Sequence, residues 1–303
     1  MLVPMPRRTR LELPGYPLHV TQRGVNRCAI FVDDLDRRHF YDLLLDAMAE
    51  HDIAVHAYVF MGNHVHLLLT PPERGVLSRA MRNAGQCYVQ AFNKRHRRCG
   101  TLWQGRFKSC LVDTERYLMT VYRYVELNPV RTAMVSRPEH HRWSSVHANL
   151  GLIKDPLVTP HPVFLAQDPD PQKRSQAYQA RLHEGVSDDD LAGIRAHLQQ
   201  ERALGDVKFQ AMVVARPSYG AVEGPDAKAI RMVLNSLRSL LRNVPFAADP
   251  TLSPHQASRQ AAQTPGLNEP DPLFARGRTV VTPARSRVIQ LEELTWLIRI
   301  EEQ

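Results

Sequence analysis

Apolar positions recur along the chain in two periods, and the switches between them mark out the elements. Residues 16–23, Tyr-Pro-Leu-His-Val-Thr-Gln-Arg, alternate as a strand does and run into a Gly-Val-Asn turn. Over 34–51 the spacing becomes three and four: Phe40, Leu43, Leu44 and Ala47 form a stripe, and Asp34 or Asp36 suits the N-cap. Residues 54–60 and 64–70 read as two strands around the short turn Met61-Gly62-Asn63. A second helix is expected over 75–95, with Leu77, Met81, Ala84, Tyr88 and Phe92 along one side, and a further strand at 109–112. The third helix, from about 113 to 127, must stop near Asn128, because Pro129 disfavours helical geometry in the residue before it. The order strand–helix–strand–strand–helix–strand, with helices on one face of a mainly antiparallel sheet, predicts an α+β, ferredoxin-like fold.

After Trp143 the pattern changes. Residues 154–172 contain five prolines and read as an extended connector. Helices are expected near 173–184, 187–204 and 206–215, and another at about 224–242. Residues 245–285 carry seven prolines and few large apolar side chains, which predicts little order, while 287–300 is apolar enough to dock. The chain thus divides into a domain at 1–150, a proline-rich connector and helical extension at 151–244, and a low-order tail at 245–303.

Composition narrows the class. Apolar residues make up 43% and charged residues 23%, as in ordinary globular chains. No apolar run approaches the roughly 18 residues of a membrane span. The N-terminus lacks the apolar core of a secretory signal, so the expected location is the cytoplasm. Cys28, Cys87, Cys99 and Cys110 show no C-x-x-C pairing, which argues against a disulfide framework or a structural zinc site. The formal charge is +8, and its distribution says more than its size. Residues 1–150 hold 21 Lys and Arg against 13 Asp and Glu, whereas 151–303 hold 18 of each. Between residues 74 and 112 lie nine basic residues and no acidic one. Such a stretch suits either phosphate neutralisation or a solvated face.

Three groups of residues carry candidate chemistry. His64 and His66 project from the same face of their strand, close enough to share one divalent ion, although two histidines on a plain sheet surface give the same spacing. Tyr124 and Asn128 are four apart and share a helical face, so a hydroxyl nucleophile and an amide oxygen could meet a metal together. Tyr117, Tyr122 and Tyr124 would serve equally as packing residues, and Tyr122 with Glu126 forms a competing pair. Lys94, Arg95, Arg97 and Arg98, with Trp103, Arg106, Phe107 and Lys108, mix phosphate contacts with stacking surfaces suited to single strands and hairpins.

Six spaced segments place these groups in a known context. They are Leu18-His-Val-Thr-Gln-Arg-Gly24, Met61-Gly-Asn-His-Val-His66, Ala91-Phe-Asn93, Gly100-Thr-Leu-Trp-Gln-Gly-Arg-Phe-Lys108, Tyr124-Val-Glu-Leu-Asn-Pro-Val-Arg131 and Trp143-Ser-Ser145. Together they make residues 14–145 resemble the REP-associated tyrosine transposases, relatives of the single-tyrosine insertion-sequence transposases of the HUH class. The helices up to about Phe209 are similar as well; the remaining tail is not. The resemblance implies a ferredoxin-like core, Tyr124 as nucleophile, and a Mg²⁺ or Mn²⁺ ion held by His64, His66 and Asn128. It further implies single-stranded or hairpin DNA as the partner, contacted by Arg23, Lys94, Arg95, Arg97, Arg98, Trp103, Arg106 and Lys108. A monomer or homodimer without membrane association is expected. Two other readings fit the same scaffold. One is a non-catalytic regulator that binds hairpin nucleic acid; the other is a metal phosphodiesterase in which water attacks and Tyr124 only packs.

Overall fold

The computed structural model describes residues 10–114 and 116–215. The expected helix at 224–242 and the tail at 245–303 lie outside the described residues. Four strands, β1 (Leu18–Arg23), β2 (Ala54–Phe60), β3 (His64–Thr70) and β4 (Lys108–Leu111), form one antiparallel sheet in the order β2-β3-β1-β4. Helix α1 (Asp34–Glu50) follows β1 and α2 (Val76–Arg95) follows β3, as the ferredoxin-like plan requires.

The alternation of each strand divides the interior in two. Leu18 and Val20 of β1, Tyr58 and Phe60 of β2, and Val65, Leu67 and Leu69 of β3 meet Phe40, Leu44, Leu77, Tyr88 and Phe92 of α1 and α2 in one core. The opposite residues, Ala57, Val59 and Leu68, meet Leu118, Val121, Tyr124 and Val125 of α3 (Leu118–Glu126) in a second core. A sheet buried on both faces explains why β2 and β3 read as nearly continuous apolar runs.

Several boundaries differ from expectation: the third helix, expected from about 113, starts at Leu118, and the one expected over 187–204 ends at Gln200. Asp33, not Asp34 or Asp36, caps α1, accepting from the backbone amides of Leu35 and Asp36. The Asp36 carboxylate is occupied elsewhere, accepting from Val32 N and pairing with Arg95 and His96. At Pro129 the chain bends rather than leaving helical geometry: α3 is followed at once by the single turn α4 (Asn128–Arg131), with the proline in its first turn. Short helices α5 (Val146–Asn149) and α6 (Pro162–Leu165) then lead to α7 (Pro171–Glu184), α8 (Asp188–Gln200) and α9 (Val207–Ala215). Both α7 and α8 are capped by their own side chains: Asp170 accepts from Gln172 N ahead of Pro171, and Ser187 accepts from Asp190 N.

The extension does not stand apart from the first 150 residues. Phe164, Tyr178, Leu182, Ile194 and Leu204 complete the second core over α3, across the expected division at 150. Polar groups fasten it further. Tyr122 OH accepts from His161 N, and Arg123 Nη1 donates to the Gly185 carbonyl. Glu126, fully buried, accepts from Ser145 Oγ, Asn149 Nδ2 and Tyr178 OH. Among the described residues no helix is long and apolar enough to cross a membrane.

Candidate active site

The face of the sheet under α3 opens at one end into a cleft of about 610 Å³. Its floor follows from strand register. Thr21 lies opposite His66 on one side and Lys108 on the other, and Arg23 lies opposite His64, so these side chains share one face of adjacent strands. Tyr124 and Asn128 come down from the far side, one helical turn apart, and line the same cleft. The His66 and Tyr124 rings lie 5.7 Å apart by centroid, and the His64 and His66 rings 5.0 Å.

Hydrogen bonds to the outer ring nitrogens decide what the histidines can offer. Asn63 Oδ1 lies 2.6 Å from His64 Nδ1, which puts the proton there and leaves Nε2 with a lone pair. The same amide donates through Nδ2 to the Arg27 carbonyl, so one side chain fixes both a histidine and the turn that carries Arg27. That turn is tight. Asn26 and Arg27 both take left-handed backbone conformations, with φ of 50° and 58°. His66 Nδ1 lies 2.9 Å from Nε2 of His19, a buried residue of β1. Donation from His66 Nδ1 to His19 frees His66 Nε2 and leaves the proton of His19 on Nδ1, a buried atom with no partner in the protein.

Burial keeps all three rings neutral. It lowers His64 from 6.5 to about 4 and His19 to about 3, and holds His66 well below 6.5; Arg23 and Arg131 add to the effect as nearby cations. Neutral imidazoles with free Nε2 atoms are the form that ligates metal. Among the described residues no group of three His, Cys, Asp or Glu side chains is placed to hold an ion. A divalent metal would therefore rest on His64, His66, the Asn128 amide oxygen and water. The donors present fit that set: Asn128 turns its Nδ2 back to the Tyr124 carbonyl at 3.2 Å, which assigns Oδ1 to other partners.

Not every candidate cation reaches this cleft. Arg23, Arg106 and Lys108 line it; so do Arg27 and Arg195, which pattern reading did not single out. Trp103 instead lines a second cavity of about 730 Å³ beside α2, shared with Arg106, and its indole N–H donates to the Gly85 carbonyl. Phe107 is buried beneath Arg10, whose guanidinium lies 3.7 Å from the ring centroid. Lys94, Arg95, Arg97 and Arg98 sit at the end of α2 and line neither cavity. Arg95 is held by ion pairs to Asp33 and Asp36, which fasten α2 to the start of α1. Tyr122, the rival tyrosine, is buried against Phe164 and Tyr178, away from the histidines.

Two further residues belong to the site. His19 was legible only as an alternate of Thr21 and Arg23; its bond to His66 depends on strand register. Arg131 lies over the Tyr124 ring, 4.3 Å from its centroid, and donates to the Tyr124 carbonyl at 2.8 Å. It stands three residues beyond Asn128, so helical spacing alone could have placed it there.

Residues 14–128 match the family described as "Transposase IS200 like", a stretch of less than half the chain. Among solved structures, a REP-associated tyrosine transposase bound to a REP hairpin is 18% identical, with a TM-score of 0.43, covering 52% of this chain and 93% of that one. A protein of Deinococcus radiodurans R1, provisionally described as a transposase, is 18% identical with a TM-score of 0.29, covering 40% of this chain and 95% of that one. A search of curated proteins found no match.

Proposed function

We propose that this chain, matched over residues 14–128 by the IS200-like transposase family, is a transposase acting as a metal-dependent single-strand endonuclease. It would cut and rejoin hairpin-forming repeat DNA through a covalent tyrosine ester. One observation carries the reading: Tyr124, two neutral imidazoles and Asn128 converge on a cleft whose charged lining, among the described residues, is entirely basic. A packing tyrosine needs no such neighbours.

Each group has a definable task. Arg23, Arg106 and Lys108 bind the phosphates on either side of the scissile bond and orient the strand. Arg131 holds the Tyr124 ring so that its hydroxyl approaches phosphorus in line. Tyr124 Oη forms a bond to phosphorus, the P–O3′ bond breaks, and the departing strand carries a free 3′-hydroxyl. The phenol proton is released to solvent and the 3′-oxygen takes one up, so no net charge is created. The new ester keeps the phosphodiester bond energy, and attack by another 3′-hydroxyl reverses the step without ATP. A divalent ion on His64, His66 and Asn128 would polarise the phosphate and draw charge from the leaving oxygen. Two imidazoles beside one amide oxygen suit Mn²⁺ better than Mg²⁺, which prefers an all-oxygen shell.

Incubation with single-stranded hairpin DNA and Mn²⁺, followed by a denaturing gel and mass spectrometry, tests the reading. A 5′-phosphoryl adduct on Tyr124 is expected, absent in Tyr124→Phe, with Tyr122→Phe still active. Cleavage without any adduct would establish water as the nucleophile. An adduct on Tyr122, Tyr117 or Tyr88 would overturn the assignment of Tyr124. Binding without cleavage under any metal would leave the chain a hairpin-binding regulator.

A further inference from the structure

We infer that α8, which lies beyond the family-matched segment, is a wall of the DNA cleft, and that Arg195 on it is a phosphate-binding residue. The inference deepens the proposed function, on whose identification of DNA as substrate it rests.

Three independent features support it. The first is position: Arg195, Leu198 and Gln199 line the same cleft as His64, His66 and Tyr124. The second is rigidity. Ile194 and Leu198 on the inner side of α8 are buried, and Ser187 caps its start. Leu204, just after it, bridges Val112, donating its amide to the Leu111 carbonyl and accepting from Asp113 N. Lys108 Nζ reaches the Gln199 carbonyl at 3.4 Å, joining α8 to the edge of the cleft floor. Arg195 is therefore an exposed side chain on a backbone held against β4, which limits the entropy lost when it grips a ligand.

The third feature is charge. Arg195 lines the cleft together with Arg23, Arg27, Arg106 and Lys108, and its charge is felt by Arg131 as repulsion. Arg131 Nη1 is itself buried without a partner. No Asp or Glu lines the cleft among the described residues. Cations gathered around one cleft without a carboxylate among them repel one another, and an anion entering between them relieves that repulsion. A phosphodiester backbone supplies such anions at regular spacing along the cleft. The cleft thus has a floor from the sheet, a roof from α3 and α4, and a third side from the extension.

The test is the salt dependence of binding. The full chain carrying Tyr124→Phe binds a labelled single-stranded oligonucleotide without cutting it, and anisotropy gives Kd between about 50 and 200 mM KCl. Loss of one phosphate contact from a single strand lowers the slope of log K against log salt by about 0.7. Arg195→Ala should show that fall and bind severalfold more weakly, Arg195→Lys should restore the slope, and Arg195→Glu should bind more weakly still. Lys154→Ala, a control of equal charge change on an exposed loop away from the cleft, should keep the parent slope. An unchanged slope and affinity in Arg195→Ala, with its thermal unfolding intact, overturns the inference. So does an equal fall in Lys154→Ala, which would mark a general charge effect. The two readings fail separately: an unchanged Arg195→Ala beside a Tyr124 adduct in the wild type removes only this wall. A changed slope without any adduct removes only the chemistry.

Discussion

Asn63 shows how much a single side chain decides here. Its carbonyl oxygen orients His64 and its amide nitrogen holds the Arg27 carbonyl, so the ligand face of one residue and the placement of another share an anchor. The histidines beyond it are expected to separate cleavage from binding. On the proposed function, alanine at His64 or His66 should abolish cleavage and leave most DNA affinity, because phosphates would be held by the basic lining. Full cleavage by the double variant in EDTA would refute a metal role. The same rings set an acid limit on stability. His19, His64 and His66 are depressed by burial, so the unfolded chain binds protons first as pH falls below about 6.5. Their contribution is complete above that pH and is lost progressively toward the folded values of about 4 for His64 and about 3 for His19. Tm should therefore fall between pH 7 and 4.5, and His19→Asn should flatten that fall. A His19→Asn profile parallel to the wild type would show that His19 is not titrating.

At the scale of elements, the turn after β1 has little room. A Cβ on Gly24 would lie 2.3 Å from the Cys28 carbonyl oxygen and 2.9 Å from Ile30 Cγ2, so any larger residue must push the 25–28 turn outward. Overpacking of this kind costs about 1–3 kcal/mol. Gly24→Ala is expected to lower the urea midpoint accordingly and, because the turn carries Arg27, to weaken DNA binding. An unchanged midpoint would mean that the turn adapts without strain. Helix α3 shows the opposite economy, with every face in use. Tyr124 and Val125 face the sheet side, whereas Tyr122, Arg123 and Glu126 fasten the extension. Tyr122 and Glu126, the competing pair, are both fully buried and bond to other partners: Tyr122 to His161 N, and Glu126, raised by burial, to Ser145, Asn149 and Tyr178.

Across the whole molecule, the extension closes the second core rather than hanging from the first domain. A fragment ending at residue 150 would expose the outer side of α3 and leave Tyr178's partner, the Glu126 carboxylate, buried without one of its donors. Such a fragment is expected to unfold without a cooperative transition, whereas a fragment ending at Ala215 retains both cores. Circular dichroism melts of the two compare them directly. A sharp transition in the 150-residue fragment would show that the first core suffices. The same packing brings Arg195, Leu198 and Gln199 of α8 to the cleft that holds His64, His66 and Tyr124.

Much of this was legible locally. The limits of β2 and β3, the common face of His64 and His66, and the common face of Tyr124 and Asn128 follow from periods of 2 and 3.6, which neighbours in sequence enforce through backbone geometry alone. Helix α3 ends at Glu126, close to the expected limit, but Asn128 ahead of Pro129 stays helical in α4, against the expectation. What joins distant segments was not legible. His19 meets His66 across 47 positions, and Arg95 is drawn from the basic stretch to Asp33 across 62. Arg195 arrives at the cleft because Leu204 adds itself to the edge of β4. Sequence determines which face a side chain shares with its near neighbours, since that is fixed by dihedral angles. Which faces meet is decided by register and burial, and only the folded sheet, with helices on both sides, brings the histidine pair, the arginines and the tyrosine to one cleft.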